Sequence, residues 1–260
     1  MTNTVYTNEL THLEKMAAEG KIAEKAFDYS SLEELAKKVI KWRQSDTIHD
    51  KYFLARYGSD QDLDELVHDS RDGVRISVAD RGRGKDLDIL VHDPSWAVRR
   101  TVAYKKRDKD LDILVHDEAQ EVRRAVASAG RNKDLDVLVH DKDARVRQIV
   151  ADFGRDKDLD ILVHDKDEWV RACVASNGRN KDLDILVHDD DEDVRKEVAD
   201  WAREKDLDIL VHDENENVRE AVAFQGQLKH LEILANDNSS FVLKTVIQSA
   251  LELLKEQQAG

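Results

Sequence analysis

The sequence predicts an all-α protein, a solenoid of about eight two-helix repeats of 24 residues with helical caps at both ends. The first observation is a His-Asp pair that recurs every 24 residues from His68-Asp69 to His212-Asp213, and Asn236-Asp237 keeps the spacing. The second is that the apolar residues of each copy have helical spacing, and none alternate as in a β-strand. So short a unit cannot bury its own apolar residues, and neighbouring units must stack.

Composition limits the class of protein. The 260 residues carry a net charge of −15, and 40% of them are hydrophobic, which is enough to bury a core. No apolar run is long enough to cross a membrane, and the N-terminus lacks the layout of a signal peptide. A single cysteine, Cys173, permits no internal disulfide and no cysteine-based metal site. We therefore expect a cytoplasmic monomer without a membrane segment or a cofactor.

The first helix of each repeat is short. In the copy that begins at residue 86, Leu87, Leu90 and Val91 have the i, i+3, i+4 spacing of a helix of about two turns. Asp86 precedes them and is predicted to be the N-cap.

The second helix is predicted to begin after Asp93, with Pro94 at its first position. Val98 and Val102 then lie on one face and form the core stripe. Glycines in left-handed conformation are expected to end this helix at Gly130, Gly154, Gly178 and Gly226.

The two ends depart from the repeat, so we expect an N-terminal cap over residues 1–49, the solenoid over 50–229 and a terminal segment over 230–260. Ser31 to Glu34 forms a capping box that opens a helix toward Trp42. Phe241 to Lys255 is predicted to be one longer final helix. There Leu243 replaces the recurrent arginine, which suits a repeat with no following neighbour.

The segment from Asp93 to Ala103, DPSWAVRRTVA, resembles the repeats of the leucine-rich-repeat variant family and, more distantly, HEAT repeats. The resemblance covers about residues 50–247. It implies a right-handed superhelix of α-helices alternating with short, partly 3₁₀, helices. It also implies ladders of aspartate and arginine between adjacent repeats, here Asp93, Arg99, Asp117, Arg123, Asp141, Arg147, Asp165, Arg171, Asp189 and Arg195. The founding member binds an iron–sulfur cluster through cysteines that this chain lacks, so that cofactor is not expected.

Neither the histidines nor the ladder predicts a chemical site. Stacked repeats lie about 8–10 Å apart, too far for neighbouring histidines to share a zinc ion. We therefore expect no metal, and histidines with structural roles. The Asp/Arg pairs recur in every repeat, whereas an active site needs one unique constellation, so no catalytic residue is predicted.

Candidate binding residues lie where the repeats differ. Residues 182–205 and 206–229 carry net charges of −6 and −4, whereas residues 86–109 carry +2. The acidic residues of 182–229 form either a solvated surface or a docking face for a basic protein. Variable aromatic residues, among them Phe153 and Trp169, are candidate anchors or fill gaps between repeats. The candidate partner-binding set is Asp190, Asp191, Glu192, Asp193, Glu197, Asp200, Trp201, Glu214, Glu216, Phe224, Trp96 and Tyr104.

The leading interpretation is a non-enzymatic scaffold or adaptor for a protein partner with a basic surface. An alternative is an acidic decoy that occupies the nucleic-acid-binding site of another protein. A DNA glycosylase built from HEAT-like repeats is a third class, but it needs a cationic surface to follow DNA, and the net charge of −15 argues against direct nucleic-acid binding.

Overall fold

The computed structural model describes residues 3–18 and 32–259. These residues form nineteen helices, and no strand occurs among them. The predicted all-α solenoid of two-helix repeats is thereby confirmed. The chain separates into two compact units, Met1–Ala129 and Gly130–Gly260. The division into a cap, a solenoid and a terminal segment stays a prediction.

Three helices precede the first short helix: α1 (Asn3–Ala18), α2 (Leu32–Arg43) and α3 (Ile48–Tyr57). The short first helices of the repeats are α4 (Asp60–Leu66), α6 (Gly84–Leu90), α8 (Asp108–Leu114), α10 (Asn132–Leu138), α12 (Asp156–Leu162), α14 (Asn180–Leu186), α16 (Glu204–Leu210) and α18 (Leu228–Leu234). The second helices are α5 (Asp72–Arg81), α7 (Trp96–Tyr104), α9 (Gln120–Ala129), α11 (Ala144–Asp152), α13 (Glu168–Ser176), α15 (Glu192–Asp200), α17 (Glu216–Phe224) and α19 (Ser240–Ala259).

Within each unit the second helices pack side by side in chain order. In the first unit α1 packs on α2 and α2 on α3, followed by α5, α7 and α9. In the second unit α11, α13, α15, α17 and α19 form the corresponding series. Within a unit, a short helix contacts the second helices before and after it, as α6 contacts α5 and α7. The outward sides of the second helices therefore form a continuous surface within each unit.

The first helices are α-helical and not 3₁₀ along their length. In α6 the side chains of Leu87 and Leu90 are buried, as is the following Val91. The expected 3₁₀ character is confined to the helix ends, where the N–H groups of His92 and Asp93 donate to carbonyls three residues back. Such tighter turns satisfy carbonyl groups that the end of a helix leaves without an α-helical donor.

The prediction that Asp86 is an N-cap is wrong. The N-cap of α6 is Arg83, and Asp86 lies in the first turn, where it accepts hydrogen bonds from Arg83 Nε and Nη2 at 2.6 and 2.7 Å. A carboxylate in the first turn also interacts favourably with the helix dipole, so a cap and a first-turn position leave similar sequence patterns. In the first repeat Ser59 and Asp62 do form a capping box on α4.

The second helix begins later than predicted. Asp93 accepts a hydrogen bond from the N–H of Ser95 at 2.8 Å and turns the chain, Ser95 is the N-cap, and Trp96 is the first residue of α7. The placement of Asp93 as the cap and Pro94 as the first helical residue is therefore wrong. An aspartate that bonds the N–H two residues ahead forms a turn outside the helix, and this geometry cannot be separated from an N-cap by spacing alone. The core stripe is as predicted, since Val98 and Val102 are fully buried.

At both ends of the chain the helices match the expectations that the structure can test. Ser31 lies outside the described residues, and the helix that follows it, α2, runs from Leu32 to Arg43 and buries Trp42. The long final helix is confirmed as α19. Leu243 is half-buried on it.

The glycines that follow the second helices are left-handed, as predicted. Gly130, Gly154, Gly178 and Gly226 have φ angles of 75°, 64°, 68° and 67°. Two repeats carry other residues at the equivalent position, because Lys106 and Ala202 have φ angles of 56° and 51°. A residue with a Cβ atom is strained in this region, so these two repeats retain strain that the glycine copies avoid.

Replacing either strained residue by glycine should stabilise the protein. We expect Lys106→Gly and Ala202→Gly each to raise the free energy of unfolding by about 0.5–1 kcal/mol, because relief of strain exceeds the larger chain entropy of glycine in the unfolded state. Urea denaturation followed by circular dichroism measures the change. Ser128→Gly, in the right-handed backbone of α9, is the control and should lower stability. Equal losses in all three variants would contradict the assignment of strain.

Candidate functional site

Buried arginines on the second helices join adjacent repeats. Arg99 donates from Nε and Nη2 to the carboxylate of Asp117 in the next repeat at 2.6 and 2.9 Å, and from Nη1 to the carbonyl of Asp93 at 2.6 Å. The same bidentate pairs are Arg75–Asp93, Arg147–Asp165, Arg171–Asp189, Arg195–Asp213 and Arg219–Asp237. Arg123 donates to the carbonyls of Asp117 and Glu118, and Asp141 accepts from the N–H of Asp143.

A second series of ion pairs, which the sequence analysis did not predict, connects the first helices. Arg107 donates to Asp110 of its own repeat at 2.6 and 2.7 Å. It also reaches the preceding repeat, donating to the Gly84 carbonyl and to Asp88, both at 2.8 Å. Equivalent pairs link Arg83, Arg155, Arg179 and Arg203 to Asp86, Asp158, Asp182 and Asp206. The recurring Gly-Arg-x-Lys segment was the available signal, but its spacing does not say which carboxylate the arginine contacts.

These pairs hold the repeats together and leave no unique reactive constellation among them. Within residues 3–18 and 32–259, no group of three His, Cys, Asp or Glu side chains could hold a metal ion. The absence of a bound metal stays a prediction. The seven recurrent histidines are exposed in the turns after the first helices: His68, His92, His116, His140, His164, His188 and His212. None of the described helices is long and apolar enough to span a membrane.

The acidic residues of the second unit divide by role. Five exposed carboxylates precede or occupy the first turns of α15 and α17, and we call them the acidic patch: Asp190, Glu192, Asp193, Glu214 and Glu216. Asp191, between them, is the N-cap of α15 and accepts from the N–H groups of Asp193 and Val194. Glu197 and Asp200 lie farther along α15, outside the patch.

The candidate aromatic residues fall into two groups, of which the first contacts the preceding repeat. Trp201 is 46% exposed, yet its indole N–H donates to the Ala175 carbonyl of the preceding repeat at 2.8 Å. The indole is thus a second donor to this carbonyl at the C-terminal end of α13, which also accepts from the N–H of Gly178 at 2.9 Å. A Cβ atom on Gly178 would lie 2.5 Å from the Trp201 ring, so the absence of a side chain there makes room for the indole. Phe153 lies against Gly130 in the same way.

Other aromatic residues lie on the outward side of second helices. Trp96 is half-exposed, and the Arg100 guanidinium lies 5.1 Å from its ring centre. Tyr104 is exposed on the same helix. In the second unit Trp169 is 56% exposed on α13 and Phe224 is 74% exposed at the end of α17. The structure describes no contact for these two rings that matches the bridging role of Trp201.

A groove of about 500 Å³ follows α13 in the second unit. Trp169 lies at its N-terminal end, and the small side chains of Ala172, Cys173 and Ser176 form its floor. The walls are side chains of the two neighbouring helices: Arg145 and Gln148 of α11, and Asp193, Lys196 and Glu197 of α15. The sequence analysis identified Trp169 and two of the wall carboxylates, Asp193 and Glu197, but not the groove. The groove forms only when α11, α13 and α15 of successive repeats pack side by side.

Two acidic side chains lie beside the Cys173 thiol at the C-terminal end of the groove. The Cys173 thiol is hydrogen-bonded to Asp152 of α11. Burial raises the pKa of Cys173 to about 11, and the charges of Asp152 and Glu197 add to this. Burial also raises the pKa of Asp152.

Asp200, farther along α15, is not one of the side chains that line the groove, and it accepts a hydrogen bond from the amide of Gln225, after α17, at 3.4 Å. Burial raises the pKa of Asp200 and Glu197 raises it further, although Lys196 opposes the shift. Burial is the first cause of these shifts and disfavours a charge of either sign, whereas the additional effect of Asp152 and Glu197 on the pKa of Cys173 shows that both carboxylates lie close to the thiol.

One comparison with a solved structure agrees with the repeat architecture. A structure described as a leucine-rich repeat variant with a novel repetitive protein structural motif is 26% identical to this chain, with a TM-score of 0.66. The match covers 82% of this chain and 94% of that one. The X-ray structure of the Escherichia coli protein YibA is 19% identical over 79% of this chain and 97% of its own, with a TM-score of 0.45. No protein-family model and no curated protein matches the sequence.

Proposed function

From the α-solenoid fold that this chain shares with a leucine-rich repeat variant protein, we propose that it is a non-enzymatic scaffold for protein–protein interaction. A solenoid presents an extended surface, and function resides in the positions that differ between repeats. The partner is a protein with a basic surface, and the acidic patch is where it docks.

The acidic patch is the observation that carries this proposal. Its five carboxylates are exposed on two adjacent repeats, in contrast to the ladder aspartates, whose charges are paired with arginines. Like charges this close repel one another, and a basic partner relieves that repulsion while it is attracted over a longer range.

Charge reversal tests the patch. We expect a variant with Asp190→Lys, Glu192→Lys, Asp193→Lys and Glu214→Lys to bind the partner at least tenfold more weakly at low salt, with a smaller difference at high salt. Asp191 is left in place because it caps α15, and Glu216 because it accepts a hydrogen bond from the Ser239 hydroxyl. The partner is captured from nuclease-treated lysate on the immobilised wild-type chain, purified, and its affinity measured by calorimetry.

A variant with the same change of charge elsewhere is the control. Glu33→Lys, Glu65→Lys, Glu232→Lys and Glu252→Lys alter exposed residues outside the patch. Glu192 and Asp193 lie in the first turn of α15, so their reversal costs some stability, and thermal unfolding must show that both variants are folded. Equal affinities of the two folded variants would refute docking at the patch. Capture that depends on nucleic acid, or a captured protein with an acidic surface, would also refute the proposal.

A further inference from the structure

The groove along α13 differs from the acidic patch in its position on the helices. The patch lies around the N-terminal ends of α15 and α17, and one of its residues, Asp193, also lines the groove, whereas Asp152 lies at the C-terminal end of α11 and Glu197 in the second half of α15. A partner that docks on the patch therefore has a second feature of the same unit within reach.

We propose, building on the proposed function, that the acidic end of this groove holds an arginine side chain from an extended segment of the partner. The guanidinium lies beside Cys173 between Asp152 and Glu197, and an uncharged residue of the same segment packs against Trp169.

The charge of the groove's acidic end selects a cation. The two carboxylates receive neutral donors: Asp152 the Cys173 thiol, and Glu197 the Ser176 hydroxyl at 3.0 Å. The ladder aspartates are instead paired with guanidinium groups. In addition α11, α13 and α15 all end here, and the C-terminus of a helix carries partial negative charge.

The shape of the site favours arginine over lysine. The guanidinium is planar and has donors on several edges, so it can bond carboxylates on both sides at once. Asp152 and Glu197 belong to the two helices that flank α13, and the small Cys173 side chain between them leaves the floor open.

The other end of the groove takes an uncharged residue. Arg145 and Asp193, one repeat before and one repeat after Trp169, both line this end of the groove, so their opposite charges offset one another and the exposed Trp169 ring is the surface against which the side chain packs. Trp169 and Ser176 are seven residues apart, about 10 Å along a helix. Three residues of extended chain span that distance. The segment thus has an apolar residue and an arginine three positions apart.

The test uses a blocked Leu-Gly-Gly-Arg peptide, and the same peptide with citrulline, an uncharged analogue of arginine. The chain has four tryptophans, so the indole N–H resonances of ¹⁵N-labelled protein form a simple spectrum, and Trp169→Phe assigns one of them. We expect the arginine peptide to shift the Trp169 resonance in a saturable way and to leave Trp42, Trp96 and Trp201 unmoved. The citrulline peptide should bind at least fivefold more weakly.

Two matched variants separate the groove from the acidic patch. Asp152→Asn and Glu197→Gln together should weaken binding of the arginine peptide at least fivefold. The control neutralises two patch residues, Asp190→Asn and Glu214→Gln, and should change it less than twofold. Circular dichroism verifies that both are folded.

The proposal is overturned if the wild-type protein gives no saturable shift, if the citrulline peptide binds equally, or if both double variants weaken binding alike. None of these results bears on docking of the whole partner at the patch, which the charge-reversal experiment decides. Peptide binding is measured on the variant with Asp190→Asn and Glu214→Gln, because the charge-reversal variant also changes Asp193, which lines the groove. Loss of partner binding in the charge-reversal variant, with unchanged peptide binding in the neutralised one, supports both proposals.

Discussion

Asp213→Ala is expected to lower the free energy of unfolding of the second unit by about 3 kcal/mol, since removing one partner of a buried ion pair leaves the other charge uncompensated. Asp213 accepts hydrogen bonds from Arg195 Nε and Nη2 at 2.6 and 2.9 Å, and from the N–H of Asn215 at 2.9 Å. The aspartate and arginine side chains are only 7% and 10% exposed. Urea denaturation followed by circular dichroism measures the loss.

Lys205→Ala is the matched control in the neighbouring segment. Lys205 and Asp184 also form an ion pair, but their side chains are 59% and 48% exposed. Exposed pairs of this kind contribute little, so the loss should stay within about 0.5 kcal/mol. A double-mutant cycle with Arg195→Ala should show strong coupling to Asp213→Ala, because the second substitution removes the charge that the first leaves unpaired. Similar losses for Asp213→Ala and Lys205→Ala would refute the structural role of the ladder.

Acid should reduce the difference between Asp213→Ala and the wild-type protein. Burial opposes ionisation of Asp213, but hydrogen bonds from Arg195 and the backbone outweigh it and lower its pKa. A group with a lowered pKa in the folded state contributes its full stability above its unfolded pKa of about 3.9, and loses it as the pH falls through the folded pKa. A difference that stays constant to pH 2 would indicate that the ion pair is not its cause.

Periodicity predicts the parts of this protein that every repeat shares. The buried stripe of Val98 and Val102 follows from helical spacing, and the left-handed Gly178 follows from its place after the last apolar residue. The buried stripe and the left-handed glycine both depend on residues that are close to each other in the chain, so the local sequence pattern shows them directly.

The exact caps could not be predicted in the same way. Asp86 and Asp93 are suited to N-caps, but Asp86 pairs with Arg83 inside the first turn and Asp93 forms a turn before the helix. Whether each aspartate is an N-cap depends on the arginine that it contacts, and the direction of that arginine depends on tertiary packing. The local sequence pattern is therefore the same whether or not the aspartate is the cap.

The different roles of Trp169 and Trp201 could not be predicted from residue type. Both are variable aromatic residues on second helices or just after them, and both are about half-exposed. Trp201 follows Gly178 by 23 residues, as Phe153 follows Gly130, and in each pair the ring lies over the glycine. That pairing between adjacent repeats was a signal available in the sequence. The groove at Trp169 has no such signal, since it requires small residues on α13 and long ones on both neighbours.

The contact between Trp201 and Gly178 leads to the second large effect. We expect Gly178→Ala to lower the free energy of unfolding by about 2–3 kcal/mol. The backbone of Gly178 is left-handed, at a φ angle of 68°. An added Cβ atom would lie 2.5 Å from two carbons of the Trp201 ring. The ring is rigid and is held by the hydrogen bond from its indole N–H to the Ala175 carbonyl, so relief requires breaking that bond or moving the helix end.

Gly226→Ala separates the clash from the backbone strain. Gly226 has nearly the same φ angle, 67°, but the nearest atom to its added Cβ would be the Phe224 carbonyl oxygen at 4.0 Å. It should therefore lose only the strain of the left-handed conformation, about 1 kcal/mol. In a Trp201→Ala background Gly178→Ala should cost no more than Gly226→Ala, because the ring that it meets is gone. If the two glycine substitutions cost the same in the wild-type background, the indole is free to move aside, and Trp201 does not hold the two repeats together.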